Sequence, residues 1–154
     1  MTYRRAIALI SLASCMVALY LALWKMGYMG RLSCAGGSHG CEYVQGSRYG
    51  WFLGMDVALI GTLGYATVVA VALAGTTEAL EDVVWPTQVL MVLIYAAVLF
   101  TIRLKYAEFV ILKSFCPWCA VSAVAITLDA VLVTLDWRRV RAASGPQVLL
   151  QQST

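Results

Sequence analysis

Cys116-Pro117-Trp118-Cys119 is the segment of this sequence best equipped for chemistry. Two thiols at that spacing interconvert between dithiol and disulfide, and one of them can be acidified enough to attack at neutral pH. A second pair, Cys34 and Cys41, lies in the only long polar loop, separated by Ala35-Gly36-Gly37-Ser38-His39-Gly40. That glycine-rich linker lets the thiols close into a disulfide or swing apart. Exchange runs by thiolate attack through a mixed disulfide, so a mobile pair beside a fixed one has the parts of a two-stage electron relay. Two blander readings compete: a loop staple and a metal site. Zinc asks for closely spaced pairs, often with histidine, whereas six residues separate Cys34 from Cys41 and His39 is the single histidine. No metal is expected, and His39 reads as a solvated loop residue. Cys15, inside an apolar stretch, reads as a small buried hydrophobe.

The elements that must position these thiols follow from composition. Of 154 residues, 62% are hydrophobic and 12% charged, too apolar for a soluble fold of this size. The charges cluster, and the gaps between clusters match what a helix needs to cross about 30 Å of hydrocarbon. The expected spans are 6–27, 56–77, 83–112 and 114–136, with a disordered tail over 138–154 and one domain over 1–154. The first span lacks a convincing small-residue cleavage site, so it is expected to be a retained helix rather than a signal peptide. Spans in lipid must satisfy their own backbone, so all are helical. The fold class is therefore an all-α integral membrane protein, a four-transmembrane-helix bundle.

An even number of spans puts both termini on one side and both cysteine pairs on the other. Charge does not orient them: Arg4, Arg5, Arg138, Arg139 and Arg141 face Lys25, Arg31, Arg48, Arg103, Lys105 and Lys113, five against six. Redox logic favours an oxidising compartment for the cysteines, so the expectation is a bacterial inner membrane with cytoplasmic termini and periplasmic cysteine pairs. Asp129 interrupts the last span and reads as a structural or snorkelling carboxylate near the terminal side, although intramembrane carboxylates are functional candidates. Arg103, Lys105 and Glu108 read as anchors at the outer interface.

The order of parts resembles the vitamin K epoxide reductase family: a first helix, a loop with two cysteines, Ser47-Arg48-Tyr49-Gly50 and Gly54 leading into the second helix, and a last helix headed by Cys116-Pro117-Trp118-Cys119. The resemblance covers nearly everything from the first helix to Trp137. The other four-helix thiol oxidases, of the DsbB type, carry their C-x-x-C in the first outer loop, the reverse order. The resemblance implies that Cys34 exchanges with a reduced thioredoxin-fold partner of the DsbA type, that Cys41 passes electrons to Cys116, and that Cys119 faces a quinone of the ubiquinone or menaquinone type. It implies a half-helix over 42–55, in the first outer loop at the membrane surface, with Trp51, Phe52, Leu53 and Met55 as an interfacial lid. Val44, Ser47, Tyr49, Leu112, Phe115 and Ser122 fall where quinone contacts are expected. No further domain is expected after the last helix, so the partner is expected to be a separate protein. Members that reduce vitamin K epoxide use an asparagine and a tyrosine four residues after the second C-x-x-C cysteine. This chain contains no asparagine and has Ala123 there, which favours oxidation of protein thiols. Vitamin K epoxide or quinone reduction is the alternative activity, and a non-catalytic, disulfide-braced membrane subunit is the alternative of a different class.

Overall fold

The computed structural model describes residues 2–30, 40–77, 80 and 83–151, the last nine of these as backbone alone. Four helices are long and apolar enough to span a membrane. They are α1 (Thr2–Lys25), α3 (Val57–Ala74), α4 (Val84–Tyr106) and α5 (Pro117–Gln151), while a short α2 (Gly40–Gly46) precedes α3. α1 packs on α3 and α5, and α4 closes the ring against the same two helices. The core falls into two apolar clusters, one that includes Ile7, Val68, Leu90, Ile94, Ile126 and Val133, and another that joins Leu21, Ala22 and Ala58 to Cys41 and Cys116. Large side chains such as Leu9, Met16, Val92 and Leu99 are exposed on the outside. Helices apolar on both faces are what a lipid solvent selects, since the outer face has no water to meet.

Three boundaries differ from the sequence expectation. The segment 42–55 is not one half-helix. Only α2 is helical; after it come a 3₁₀ turn, Arg48–Gly50, and a two-stranded hairpin pairing β1 (Trp51–Phe52) with β2 (Met55–Asp56). Gly54, at φ +79°, takes a backbone conformation that suits glycine and ends any helix there. Next, α4 does not run regularly to Leu112: Ala107–Ile111 forms a π-helical turn, which rotates the face its residues present. Finally, α5 continues to Gln151, where a disordered tail was expected from 138. Arg138, Arg139 and Arg141 are good helix formers and can leave the membrane without leaving the helix. Arg141 also sits 4.7 Å over the Trp137 ring.

At the end carrying the chain termini, buried Arg4 ties the bundle together. Its Nε donates to Asp136 Oδ2 at 2.9 Å, and its Nη2 to Thr87 Oγ1 at 2.8 Å. Its Nη1 donates to the carbonyls of Gly75 and Leu80. A cation counted from sequence as a surface charge is thus an interior clamp. At the opposite end Lys25 Nζ donates to Gly50 O at 2.8 Å and Asp56 Oδ1 at 2.9 Å, fixing the hairpin to α1, while Asp56 caps α3 through the Ala58 N–H.

Candidate functional site at the head of the last helix

Pro117 opens α5, where its missing N–H leaves nothing unpaired, and Cys116 stands in the capping position before it. The Cys116 sulfur accepts the Cys119 N–H at 3.3 Å, as a capping side chain accepts from the third helical residue. The Cys116 backbone N–H donates to Glu108 Oε1 at 2.6 Å, and the other carboxylate oxygen accepts from Lys105 Nζ, also at 2.6 Å. Glu108 is buried. The π-helical turn carries it inward, so the expectation of an interfacial anchor is corrected for Glu108, and for Lys105, which lies on a cavity wall beside it. Arg103 alone of the three stays exposed, 5.0 Å from the Phe52 ring.

Three sulfurs meet here. Cys41, Cys116 and Cys119 pack in one buried cluster, with the Cys116 thiol close to both of the others. Cys41 is the second residue of α2, which contacts α5, and both Cys41 and Cys116 have no exposed surface. Gly40 makes that approach possible: a Cβ there would lie 2.2 Å from the Phe115 carbonyl oxygen. The hydrogen bond to Cys119 pushes the Cys116 thiol up from its ordinary range, with burial and then the charge of Cys119 adding to it. Cys116 is thus the middle sulfur, the one able to exchange with a neighbour on either side. Cys34 and His39 lie outside the described residues.

Below Cys119 opens a cavity of about 340 Å³ among α1, α3, α4 and α5, within the size range of small-molecule sites. Its walls are mostly apolar. Cys119 is on the wall, and Gln45 Nε2 donates to its sulfur at 3.6 Å. Among the expected quinone contacts, Val44, Tyr49, Leu112 and Ser122 line this cavity, whereas Ser47 and Phe115 are not among its lining residues. Ser47 turns back to donate to the Val44 carbonyl at 2.7 Å, and Phe115 packs on Phe109 with half its surface exposed. The expected lid is also displaced. Trp51, Leu53 and Met55 are exposed on the hairpin, Phe52 packs edge-on against Phe100, and the cavity wall in this stretch is Tyr49 and Gly50.

Four polar residues at the site were missed or misread from sequence: Gln45, Tyr65, Lys105 and Glu108. A lone acid eight residues before Cys116, followed by Phe109-Val110-Ile111-Leu112, was a usable signal for Glu108, because a carboxylate in an apolar run needs a partner. Gln45 and Tyr65 gave none, since nothing local says which helix face turns inward. Cys15 donates to the Thr62 carbonyl at 3.5 Å and packs against the core, away from the other sulfurs.

The cavity suits a flat, apolar ring with polar oxygens, and the residues around it can fix such a ring beside a redox-active sulfur. Residues 5–134 match the family model described as vitamin K epoxide reductase family. That family comprises membrane oxidoreductases that work on thiols and quinone-type substrates. The match spans most of the chain, and with its four membrane helices and C-x-x-C this protein belongs to the vitamin K epoxide reductase family.

Proposed function

We propose that this protein is a thiol:quinone oxidoreductase that reoxidises a soluble thioredoxin-fold thiol oxidase and so sustains disulfide formation, with its cysteine pairs facing the periplasm of a bacterial inner membrane. The observation that carries the reading is the contact line Cys41, Cys116, Cys119, ending at a cavity sized for a ring. Cys34 receives electrons from the reduced partner, and Cys41 then attacks Cys116 in the Cys116–Cys119 disulfide. Cys116 becomes bonded to Cys41, and Cys119 leaves as the thiolate at the cavity wall. Cys34 then attacks Cys41, closing the Cys34–Cys41 disulfide and breaking the Cys41–Cys116 bond, so that Cys116 leaves as a thiolate and two electrons in all have passed to Cys116 and Cys119. Helix α5 directs its N-terminus at these sulfurs, a favourable place for negative charge. Gln45 donates to Cys119, and Glu108 holds the Cys116 backbone in register. The quinone, bound in the cavity, supplies the two-electron sink. Val44, Tyr49, Leu112 and Ser122 would hold it, and the apolar walls exclude water.

The test is anaerobic quinone reduction by the purified protein with a reduced DsbA-type donor, comparing wild type with Cys116→Ala. Quinol that forms with wild type and is lost in the variant supports the relay. Quinol formation that survives Cys116→Ala would mean a different redox centre, and no reduction with either ubiquinone or menaquinone would favour a disulfide-braced structural subunit.

A further inference from the structure

The thiols occupy only one end of the cavity. At its deeper end stand Tyr65 of α3 and Ser122 of α5, whose hydroxyls lie 2.7 Å apart. Tyr65 has no part in the sulfur relay, and Ser122 enters it only as a wall of the cavity. The Tyr65 hydroxyl also lies close to Ser14 of α1, one turn from Ser11, and Ser11 donates to Asp129 Oδ2 at 2.7 Å. All of Ser11, Ser14, Tyr65 and Asp129 are buried. Asp129 has no exposed surface, and its Oδ1 has no hydrogen-bond partner among the described residues. It does not snorkel, which corrects one half of the sequence expectation of a structural or snorkelling carboxylate. It lies twelve residues into α5, about 18 Å from the cysteine end at 1.5 Å per residue, near mid-bilayer.

Spacing makes a file of these groups. Ser122, Asp129 and Asp136 recur every seven residues on α5, and Arg4 and Ser11 keep the same interval on α1. The polar positions of the two helices therefore meet in layers, with Ile7, Ile126 and Val133 between them. Hydroxyls and a carboxyl in hydrocarbon serve either as interhelical glue or as a proton path. Glue would use every polar atom, and the unpartnered Oδ1 is the detail that glue leaves unexplained.

We propose that Asp129, Ser11, Ser14, Tyr65 and Ser122 form a proton file that feeds the deep end of the cavity from the bundle core. The inference rests on the thiol:quinone reading above. When Cys116 and Cys119 close their disulfide they lose two electrons and two protons, and quinol formation requires two electrons and two protons at the ring oxygens. One proton is passed to the deep oxygen by Tyr65, whose hydroxyl is refilled through Ser14 and Ser11 from Asp129. A single bridging water closes the one-turn step between the two serines. Asp129 recovers its proton from water on the side of the chain termini, and the thiol protons not used at the near oxygen leave on the cysteine side. Asp129 and Tyr65 act here on protons alone, and the thiol exchange does not need them.

The experiment uses the full-length protein in vesicles, wild type against Asp129→Asn and Tyr65→Phe. Asparagine keeps the Ser11 hydrogen bond but carries no exchangeable acid proton, and phenylalanine keeps the ring. Three readouts are taken: quinol formation with ubiquinone or menaquinone, electron transfer from the reduced donor into the cysteines by thiol trapping, and redox-triggered infrared difference spectra of carboxyl and tyrosine bands. The expected result is a kcat for quinol formation at least about a hundredfold lower in each variant, the lower end of what general acid catalysis contributes, about 10²–10⁴. The quinone KM of Asp129→Asn, thiol trapping and thermal stability stay unchanged, and a carboxyl band present in wild type disappears. Full quinol formation in both variants, or no carboxyl or tyrosine band in wild type, overturns the file while leaving the relay intact. Wild type that exchanges thiols but forms no quinol overturns the quinone reading and the file with it. If Asp129→Asn fails to fold, Tyr65→Phe and the wild-type spectra decide.

Discussion

Replacing Glu108 by Gln tests whether the buried carboxylate holds Cys116 in place. Its two oxygens serve two different donors, the Cys116 N–H on Oε1 and Lys105 Nζ on Oε2, each at 2.6 Å. Glutamine offers one oxygen and one NH₂, so one donor must face another donor. A hydrogen bond to a charged group contributes about 1.5–3 kcal/mol against about 0.5–1.5 for a neutral one, and an unsatisfied buried donor costs about 1–3 kcal/mol. Lys105 is 18% exposed and water recovers part of its loss, so the change comes to about 2 kcal/mol. That loss falls on the segment 107–116, making its local opening about thirtyfold more frequent, since about 1.4 kcal/mol is tenfold. Cys116 has no exposed surface, so its alkylation reports that opening. In a background with Cys34, Cys41 and Cys119 as serine, a water-soluble maleimide is expected to label Cys116 about thirtyfold faster in Glu108→Gln. Adding Lys105→Met removes the stranded cation and should slow labelling again. A rate within twofold of the parent would refute the idea that Glu108 positions the cysteine.

Gly40→Ala places a Cβ 2.2 Å from the Phe115 carbonyl, a backbone atom that cannot yield cheaply, so α2 must back away from Cys116. Electron transfer from Cys41 to Cys116, followed by thiol trapping, is expected to slow at least tenfold, whereas Gly61→Ala, whose Cβ would meet only Ala18 at 3.7 Å, should leave it unchanged. Arg4→Met strands Asp136 in the interior and should destabilise the bundle by about 3–5 kcal/mol, most of it recovered in Arg4→Met/Asp136→Leu, as read by thermal unfolding. The raised Cys116 thiol sets a pH dependence for the reduced protein. Between the ordinary thiol range and the raised value, the folded state keeps a proton that the unfolded chain has released, so stability is fully present below that range. It falls as pH rises above about 9, by up to about 1.4 kcal/mol per unit. Cys116→Ser should flatten that slope in urea titrations.

Much of the architecture could be read from where charges are absent, because the bilayer admits long uncharged helices and little else. The readings that failed concern charges whose partners lie far away in sequence. Arg4 meets Asp136 across 132 residues, and Ser11 meets Asp129 across 118. A hydropathy profile marks both ends of such pairs as near-terminal or interrupting charges and cannot say that they face each other. Glu108 failed for a different reason. A π-helical turn inserts a residue into the helical count, so the face predicted from a 3.6-residue period is wrong beyond Tyr106. At the sulfurs, residue types and spacing identified Cys41, Cys116 and Cys119 as chemical groups. Their convergence depends on Gly40 and on the Phe115 carbonyl, a close approach that only coordinates reveal.

The two ends of the bundle are held by different means, and that division follows from what each must do. At the terminal end Arg4 gathers α1, α4, α5 and the connection after α3 into one buried polar knot, using carbonyls from Gly75 and Leu80 that no helix could satisfy. An arrangement with so many fixed donors and acceptors resists any rearrangement. At the sulfur end Lys25 fixes the hairpin to α1, and the bonds recorded on the sulfurs' own segment among the described residues are single ones: an N-cap sulfur, a carboxylate to one backbone N–H, and a weak bond from Gln45 to Cys119. Thiol exchange moves bonds between neighbouring sulfurs, and a mixed disulfide needs its sulfurs closer than any hydrogen-bonded pair of thiols. Under the proposed relay the sulfur end must therefore shift on every turnover. A rigid far end lets α2 and the turn before Cys116 make that adjustment while the cavity between the helices keeps its shape.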